Sequence, residues 1–147
     1  FGGVEHRIEL VRELDGVRYY NDSIASSPSR TIAGLNSFPE KVILIAGGKD
    51  KGISYDSLGP VVNDHVKLLI LCGATAGVIR ASVEGAENYR RLEMVDVEDY
   101  HQAVSLARSR AVEGDVVILS PASTSFDRFA NFMERGRVFK EIVNGLK

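Results

Sequence analysis

A run of hydroxyl side chains follows an apolar segment near the C-terminus of this chain. Ser123, Thr124 and Ser125 come soon after the apolar residues 116–119. The next residues, FDRFANFMERGRVF, have helical spacing and predict a helix that begins at Phe126. A helix start carries unpaired N–H groups and the positive end of the helix dipole, so this arrangement predicts a seat for a carboxylate or phosphate. Capping of the helix would by itself explain Ser125.

Three other predicted strands also end in polar or glycine-rich segments. In an α/β sheet, the carboxyl ends of the strands lie at one edge and hold the ligand. Lys51 is flanked by glycine and is predicted to face the hydroxyls, whereas Lys49 is predicted to be a solvated charge. Ser26 adds a fourth hydroxyl to the same edge. The three segments are Asn21-Asp22-Ser23, residues 47–52 and Gly73-Ala74-Thr75.

Two positions in the first part of the chain suit contacts with a nucleotide. Asp22 could accept hydrogen bonds from a ribose or orient a basic group, although turn chemistry alone would also explain it. The pair His6-Arg7 lies near the start of the chain, where linkers between domains usually fall. Arg7 could reach a phosphate held by a preceding domain, and the alternative is an exposed terminus. The opening without Met predicts that the chain is cut from a longer protein.

Neither glycine-rich segment matches a standard phosphate-binding fingerprint. Residues 47–52 fail the Walker A spacing, because Ile53 stands where the lysine is required. Residues 73–77 read GATAG and do not satisfy the G-x-G-x-x-G pattern of dinucleotide-binding folds. The sequence therefore predicts neither a P-loop nor a dinucleotide site within this chain.

Apolar strands alternate with helices along the chain and predict an α/β, Rossmann-like fold. Asp15-Gly16 is a two-residue hairpin signal, so the first strand is predicted to be antiparallel to the second. The remaining strands are apolar throughout, which is typical of a parallel sheet covered by helices on both faces. We expect about six strands in a mostly parallel sheet. The predicted strands are 8–14, 17–21, 41–46, 66–71, 91–95 and 115–119, and the predicted helices are 28–38, 55–63, 75–84, 97–112 and the last one from Phe126.

Composition narrows the classes of function. The chain has 147 residues, which suits one domain, and a net charge of −2, which argues against nucleic-acid binding as its main activity. Cys72 is the only cysteine, so no internal disulfide can form and a reducing cytoplasm fits. His6, His65 and His101 lie too far apart to suggest a metal site. No apolar run approaches the roughly 18 residues of a membrane span.

Four motifs in order resemble the C-terminal domain of the Mur ligase family. The resemblance implies that residues 1–147 form that single domain, with the UDP-substrate domain and the central ATP-binding domain lying outside this chain. The N-D-S form of the second motif resembles the D-glutamate-adding members and differs from the segments of later ligases. The motifs are EHRIE from Glu5, YYNDSIASSP from Tyr19, IAGGKDKG from Ile45 and LSPASTSFDRFANFMERGRVF from Leu119.

The resemblance implies an ATP-dependent ligase of the bacterial cytoplasm. Such an enzyme would add D-glutamate to UDP-N-acetylmuramoyl-L-alanine through an acyl phosphate, in the synthesis of peptidoglycan precursors. ATP and Mg²⁺ would be held mainly by the central domain, so this chain alone is expected to be inactive. Two alternatives stay open: another amide ligase of the same superfamily, such as a folylpolyglutamate synthase, and a non-catalytic nucleotide-binding module.

The resemblance also assigns site residues by position. It implies no metal ligand in this chain. Many relatives have lysine where this chain has Ile24 and threonine where it has Ser26, so the role of that lysine could pass to Lys49. The residues implied for D-glutamate are Ser26, Lys51, Ser125 and Phe132, and those implied for ATP are His6, Arg7 and Asp22.

Overall fold

The computed structural model describes residues 4–125 and 128–147, which contain six strands and five helices. The order of these elements follows the predicted alternation. The strands are β1 (Glu9–Leu14), β2 (Val17–Asn21), β3 (Val42–Ala46), β4 (Val66–Leu71), β5 (Glu93–Asp96) and β6 (Val116–Leu119). The helices are α1 (Pro28–Leu35), α2 (Leu58–His65), α3 (Ala76–Glu84), α4 (Tyr100–Arg110) and α5 (Phe132–Asn144).

The six strands form one sheet in the order β1-β2-β6-β3-β4-β5. β1 is antiparallel to β2, and every other neighbouring pair is parallel. The β1–β2 hairpin turns at Asp15 and Gly16, whose φ angles of 53° and 77° place both in the left-handed region that such a turn requires. The predicted mostly parallel sheet with one antiparallel strand is therefore confirmed.

Helices cover both faces of the sheet. The side chains of β3, β4 and β6 are almost all buried, which explains why these strands are apolar at every position except Lys67. Leu35 of α1 and Leu58 of α2 pack on one face with Leu44 and Leu69. On the other face, Phe139 of α5 joins a second core cluster. The prediction of helices on both faces is confirmed.

The last helix begins at Phe132, so the prediction that it begins at Phe126 was wrong. Asn131 caps α5, because its side-chain oxygen accepts a hydrogen bond from the Glu134 N–H at 2.9 Å. The Glu134 carboxylate in turn accepts from the Ala130 N–H at 3.3 Å, as in a capping box. Phe126 and Asp127 lie outside the described residues. The hydroxyl run therefore lies several residues before α5, and the predicted combination of hydroxyls with a helix start does not hold at Ser125.

The other elements lie within a few residues of their predicted bounds. The largest of these shifts are three residues: α2 begins at Leu58, α4 begins at Tyr100 and α1 ends at Leu35. The side chain of Asp99 caps α4 by accepting from the Gln102 N–H at 2.9 Å, which explains why the helix does not extend back to Val97. Among residues 4–125 and 128–147, no helix has the length and apolar character needed to cross a membrane.

Gly47 and Gly52 provide a matched test of how closely the ends of β3 and β4 approach. Both glycines have positive φ, but a Cβ at Gly47 would lie 2.1 Å from the Cys72 carbonyl oxygen, whereas a Cβ at Gly52 would meet no atom within 4 Å. Gly52→Ala should cost roughly 1–2 kcal/mol from its backbone conformation alone. Gly47→Ala should cost at least about 3 kcal/mol more, or prevent folding. Urea unfolding of both variants measures the difference, and equal costs would contradict the close approach.

Candidate functional site

The loops that follow β3, β4 and β6 are joined by backbone hydrogen bonds. These contacts bring the glycine-rich loop, the start of α3 and the hydroxyl run to one edge of the sheet, as expected for the carboxyl ends of parallel strands. The three bonds run from Gly47 N to Pro121 O at 2.9 Å, from Lys49 N to Thr124 O at 2.9 Å and from Thr75 N to Gly48 O at 3.0 Å.

Buried hydroxyl groups that hydrogen-bond to one another also connect the same loops. The Ser123 hydroxyl lies 2.9 Å from the Tyr55 hydroxyl and 2.8 Å from the Thr75 hydroxyl. The Thr75 hydroxyl also accepts from the Gly48 N–H at 2.9 Å. Ser123 therefore uses its side chain to hold the glycine loop in place, and the sequence pattern alone could not separate this role from ligand binding.

Arg135 is the main site residue that the sequence analysis missed. It projects from the first turns of α5 and is only 1% exposed. Its guanidinium donates to the Ser23 hydroxyl at 3.0 Å, to the Ser23 carbonyl at 2.8 Å and to the Ser123 carbonyl at 2.8 Å. It also donates to the Ser26 hydroxyl at 3.3 Å. One side chain thus joins the loop after β2, the loop after β6 and the start of α5.

The sequence does carry a signal for Arg135. Phe132, Arg135, Phe139 and Val143 recur at helical spacing, and the last three are buried in α5. A charged residue on the apolar face of a helix is rare unless its hydrogen bonds are satisfied in the interior. The position of Arg135 between two phenylalanines on one face therefore indicates a buried polar contact.

A cavity of about 260 Å³ opens between the strand ends and the helices α4 and α5. The glycines at 47, 48 and 73 form one side of it, and Tyr100 and Phe129 contribute aromatic rings stacked 5.6 Å apart. Among the described lining residues, Ser125 is the one member of the predicted D-glutamate set. The cavity is large enough for a small molecule, and Arg135 is one of its lining residues.

Ser26 and Phe132 meet at the Arg135 cluster rather than at the cavity wall. The Ser26 hydroxyl accepts from Arg135, and the Phe132 carbonyl accepts from the Ser23 hydroxyl at 2.7 Å. The Phe132 ring packs edge to face with His6, at a centroid distance of 5.9 Å. The predicted D-glutamate residue Phe132 and the predicted ATP residue His6 are therefore in contact.

Lys51 lies on the exposed part of the loop after β3. A side-chain turn orders this loop, since the Asp50 carboxylate accepts from the Gly52 N–H at 2.8 Å. In the part of the chain that the structure describes, no hydrogen bond joins Lys51 to Ser26, Ser125 or Phe132. Lys49 is also exposed, and its backbone pairs with Thr124. Both lysines are therefore exposed on the loop after β3, and neither lines the cavity.

The three residues predicted to lie near ATP come together at the neighbouring end of β2. The Asp22 carboxylate accepts from the Ile8 N–H at 3.1 Å and from the Ser120 hydroxyl at 2.7 Å. Arg7 extends into solvent and lines, with Asp22 and Arg30, a shallow cleft of about 150 Å³. Two guanidinium groups beside this cleft suit an anionic group such as a phosphate.

Burial raises the pKa of the Asp22 carboxyl to about 6, although the hydrogen bonds from Ser120 and Ile8 and the nearby charges of Arg7 and Arg30 act in the opposite direction. The carboxylate lies under α1, where a Cβ at Gly34 would be 2.8 Å from its oxygen. Asp22 therefore lies in one buried site together with the backbone of Ile8, the Ser120 hydroxyl and α1. Within residues 4–125 and 128–147, no group of His, Cys, Asp and Glu side chains could hold a metal ion.

Comparison with known proteins identifies the family. The sequence model of the "Mur ligase, glutamate ligase domain" matches residues 6–123, which is most of the chain. This chain belongs to the Mur ligase family. The resemblance of the four motifs to the Mur ligase family is thereby confirmed.

Two relatives illustrate the similarity in sequence. The UDP-N-acetylmuramoylalanine-D-glutamate ligase of Ruminiclostridium cellulolyticum is 58% identical over 100% of this chain. The protein of the same name from Clostridium beijerinckii is 55% identical over 99% of this chain. In both cases the match covers 32% of the relative, so the chain spans about a third of the length of these curated relatives.

Solved structures of more distant proteins share the fold. A murein peptide ligase from Psychrobacter arcticus superposes with a TM-score of 0.66 at 14% identity, covering 100% of this chain and 32% of that protein. A bifunctional folylpolyglutamate synthase/dihydrofolate synthase from Yersinia pestis gives 0.64 at 18% identity, covering 96% and 32%. At these identities the likeness establishes the fold alone.

Replacing Asp22 with asparagine should remove a pH-dependent loss of stability. The pKa of Asp22 is raised from 3.8 in the unfolded chain to about 6 in the folded chain. Its contribution to the free energy of unfolding is therefore fully present below pH 3.8, where the carboxyl is protonated in both states. That contribution is lost as pH rises through about 6, because the buried carboxyl ionises less readily than the unfolded one. The loss amounts to about 3 kcal/mol at neutral pH. Asp22→Asn keeps an acceptor for Ile8 and titrates nothing. Urea unfolding at about pH 4 and about pH 7 should show the variant gaining relative to the parent at the higher pH. Parallel pH profiles for the two proteins would contradict the raised pKa.

Proposed function

We propose that this Mur ligase chain is the domain that binds D-glutamate and closes over ATP in a ligase acting on UDP-N-acetylmuramoyl-L-alanine. The observation that carries the proposal is the 52–58% identity, over nearly the whole chain, to relatives that all bear the name UDP-N-acetylmuramoylalanine-D-glutamate ligase. The matches cover nearly the whole chain and so span the strand-end loops, and binding residues are often carried by such loops.

The proposed reaction joins a carboxylate to an amine in two steps. ATP supplies a phosphoryl group to the carboxylate of the UDP-linked substrate, and the amine nitrogen of D-glutamate then displaces phosphate from the acyl carbon. The task of this chain is to place the amine within reach of that carbon and to exclude water, so its contribution is positioning across a domain cleft. The domains that hold the UDP-linked substrate and most of the nucleotide belong to the proposed full-length enzyme.

D-Glutamate carries two carboxylates, and the site offers donors suited to them. As the first residue of α5, Phe132 has a backbone N–H without an intrahelical acceptor, at the positive end of the helix. Ser125 lines the cavity, and Lys51, exposed on the loop after β3, is proposed to supply an ammonium to the bound amino acid. A hydrogen bond to a charged group contributes roughly 1.5–3 kcal/mol, against about 0.3–1 kcal/mol for a helix terminus. Lys51 and the hydroxyls should therefore dominate the selection of the amino acid.

Arg135 acts in this scheme as a positioning residue. Its guanidinium is buried and holds Ser26 and the backbone of Ser23 and Ser123, so it sets the distance between the loop after β2 and the loop after β6. These loops carry Ser26 and Ser125 respectively. A relative shift of about 1 Å between such groups is enough to lower a rate substantially, because reacting atoms must be held close to their reactive geometry.

The proposed nucleotide site is the cleft beside Arg7, near the start of the chain. Arg7 and Arg30 offer guanidinium groups to phosphate oxygens beside the cleft that Asp22 lines. The proposed Mg²⁺ belongs to the central domain, as the family resemblance implies, and no step on this chain is routed through it.

The proposed function is tested on the full-length protein that contains this chain. Purified protein, ATP, Mg²⁺ and UDP-N-acetylmuramoyl-L-alanine should release phosphate when D-glutamate is added, and much less with L-glutamate or D-alanine. The 147-residue chain alone serves as the control and should release none. Activity with a different amino acid in preference to D-glutamate would refute the assignment of the acceptor.

Replacing Lys51 and Lys49 separately locates the ammonium that contacts D-glutamate. In the full-length enzyme, Lys51→Ala should raise the KM for D-glutamate and lower kcat/KM about 10- to 150-fold, with little change in the KM for ATP. Lys49→Ala is the matched control from the same loop and should have a small effect. Steady-state kinetics at varied D-glutamate measure both.

The opposite pattern would be equally informative. If Lys49→Ala were damaging and Lys51→Ala neutral, the ammonium would be assigned to the wrong lysine of the loop. If both variants kept normal D-glutamate kinetics, the amino acid would not bind at this edge of the sheet.

A further inference from the structure

His6 is held in a narrow slot although it lies close to the start of the chain. Its residue is only 7% exposed, and its backbone carbonyl accepts from the Ile24 N–H at 3.0 Å. Its φ of 66° places it in the left-handed region, which a non-glycine residue adopts only when its surroundings hold it there. Contacts with neighbouring residues hold the imidazole ring in place, and the contact at Nδ1 indicates which ring nitrogen carries the proton.

The side-chain amide of Asn21 faces this nitrogen, and its own orientation is determined by two other partners. The Asn21 Oδ1 accepts from the Ser23 N–H at 3.1 Å, and a backbone N–H can only donate. The Asn21 Nδ2 donates to the Glu9 Oε1 at 3.0 Å, and an ionised carboxylate can only accept. Exchanging the oxygen and nitrogen of the amide would break both bonds.

Glu9 is an acceptor throughout the neutral range. Burial opposes its ionisation, but hydrogen bonds from the His6 N–H and from Asn21, together with the Lys140 ammonium, outweigh burial and lower the pKa of the Glu9 carboxyl. The Lys140 Nζ lies 3.2 Å from the Glu9 Oε2, on the side away from Asn21. The Asn21 amide therefore keeps its two hydrogens directed at Glu9 and at His6.

The second Asn21 hydrogen points at the His6 Nδ1, 2.9 Å away. A nitrogen that receives a hydrogen bond must present its lone pair, so a proton on Nδ1 would collide with the amide hydrogen. We infer that Asn21 is a positioning residue that sets the tautomer of the His6 imidazole, with the ring proton on Nε2. The Nε2–H then serves as a directed hydrogen-bond donor.

Two residues of α5 make this arrangement possible. A Cβ at Gly136 would lie 2.2 Å from the His6 Nδ1 and 2.9 Å from the Asn21 Nδ2, so only glycine leaves room for the contact. The Phe132 ring packs edge to face against the imidazole and limits its rotation. The slot is thus built from the end of β2 and from α5, next to the contact of Arg135 with Ser23 on the loop after β2.

The donor has a defined use, which rests on the proposed function. The Nε2 lies on the side of Glu5, whose carboxylate is 3.7 Å away and whose side chain is 68% exposed. Arg7, the next residue, extends into solvent beside the cleft assigned to the nucleotide. The proposed function places the nucleotide beside Arg7, so the Nε2–H is assigned to an oxygen of the bound nucleotide. When the domains close, that oxygen replaces the Glu5 carboxylate, which also receives the Lys140 ammonium at 2.9 Å.

The tautomer can be read directly from the 147-residue chain by NMR. Long-range ¹H–¹⁵N correlation spectra at about pH 8.5, where an unperturbed imidazole is neutral, distinguish a protonated from an unprotonated ring nitrogen. We expect His6 to show its proton on Nε2, with exposed His101 as an internal reference. A proton on Nδ1 of His6 in this spectrum would overturn the inference.

Asn21→Asp tests the cause of the tautomer. The new carboxylate would face Nδ1 with an acceptor, so His6 should acquire a proton on Nδ1. Glu9→Gln is the matched control, because its amide oxygen can still accept from Asn21 and the His6 proton should stay on Nε2. If Asn21→Asp folds and the proton still resides on Nε2 alone, Asn21 does not set the tautomer. If it does not fold, the spectrum of the parent chain and the Glu9→Gln control decide.

Kinetics of the full-length enzyme test the use of the donor. Glutamine can place an N–H near the position of Nε2, whereas asparagine reaches only the position of Nδ1. His6→Asn should therefore lower kcat/KM for ATP about 10-fold or more relative to His6→Gln. Glu5→Gln should leave kcat/KM for ATP undiminished. Equal losses in the two His6 variants, or a loss in Glu5→Gln as large as in His6→Asn, would overturn the assignment to the nucleotide. An enzyme without ligase activity would refute the proposed function and leave the NMR result intact.

Discussion

The buried guanidinium of Arg135 is the interaction on which the candidate site depends. A charged group inside a protein is costly unless hydrogen bonds replace its lost hydration. Here the acceptors come from Ser23 and Ser26 after β2 and from Ser123 after β6, and the donor comes from α5. Satisfying the guanidinium therefore requires all three segments to be in place. The same contacts that remove the penalty of burial also define the shape of the site.

The sequence predicted the sheet well because its central strands have little freedom. β2 and β4 were predicted with the bounds that the structure has, because β2 follows the Asp15-Gly16 hairpin signal and β4 is a mostly apolar run. Helix starts were harder to predict. For α5, the spacing of Phe126, Phe129 and Phe132 suggested an early start, whereas the Asn131 cap, supported by Glu134, determined the actual one. Local hydrogen bonding at a helix end outweighed hydrophobic periodicity.

The meeting of the strand-end segments was predicted more successfully than the contacts among their side chains. Parallel topology brings the strand ends together whatever the details of the loops, so the segments after β2, β3 and β6 were expected to meet. The sequence could not divide the hydroxyls between packing and ligand binding: Ser123 lies in a buried chain of hydroxyls, whereas Ser125 lines the cavity. Only the three-dimensional arrangement assigns a hydroxyl to one task or the other.

The place of β6 in the sheet has a consequence for biosynthesis. β6 lies between β2 and β3, yet it is the last strand to leave the ribosome. Until it is made, the β1–β2 hairpin has no neighbour in the parallel part of the sheet, and Asp22 lacks the Ser120 hydroxyl. Pairings between strands so distant in sequence form late and expose unpaired edges while they wait. A nascent chain that stops before β6 would therefore present two separate pieces, which are suitable targets for chaperones.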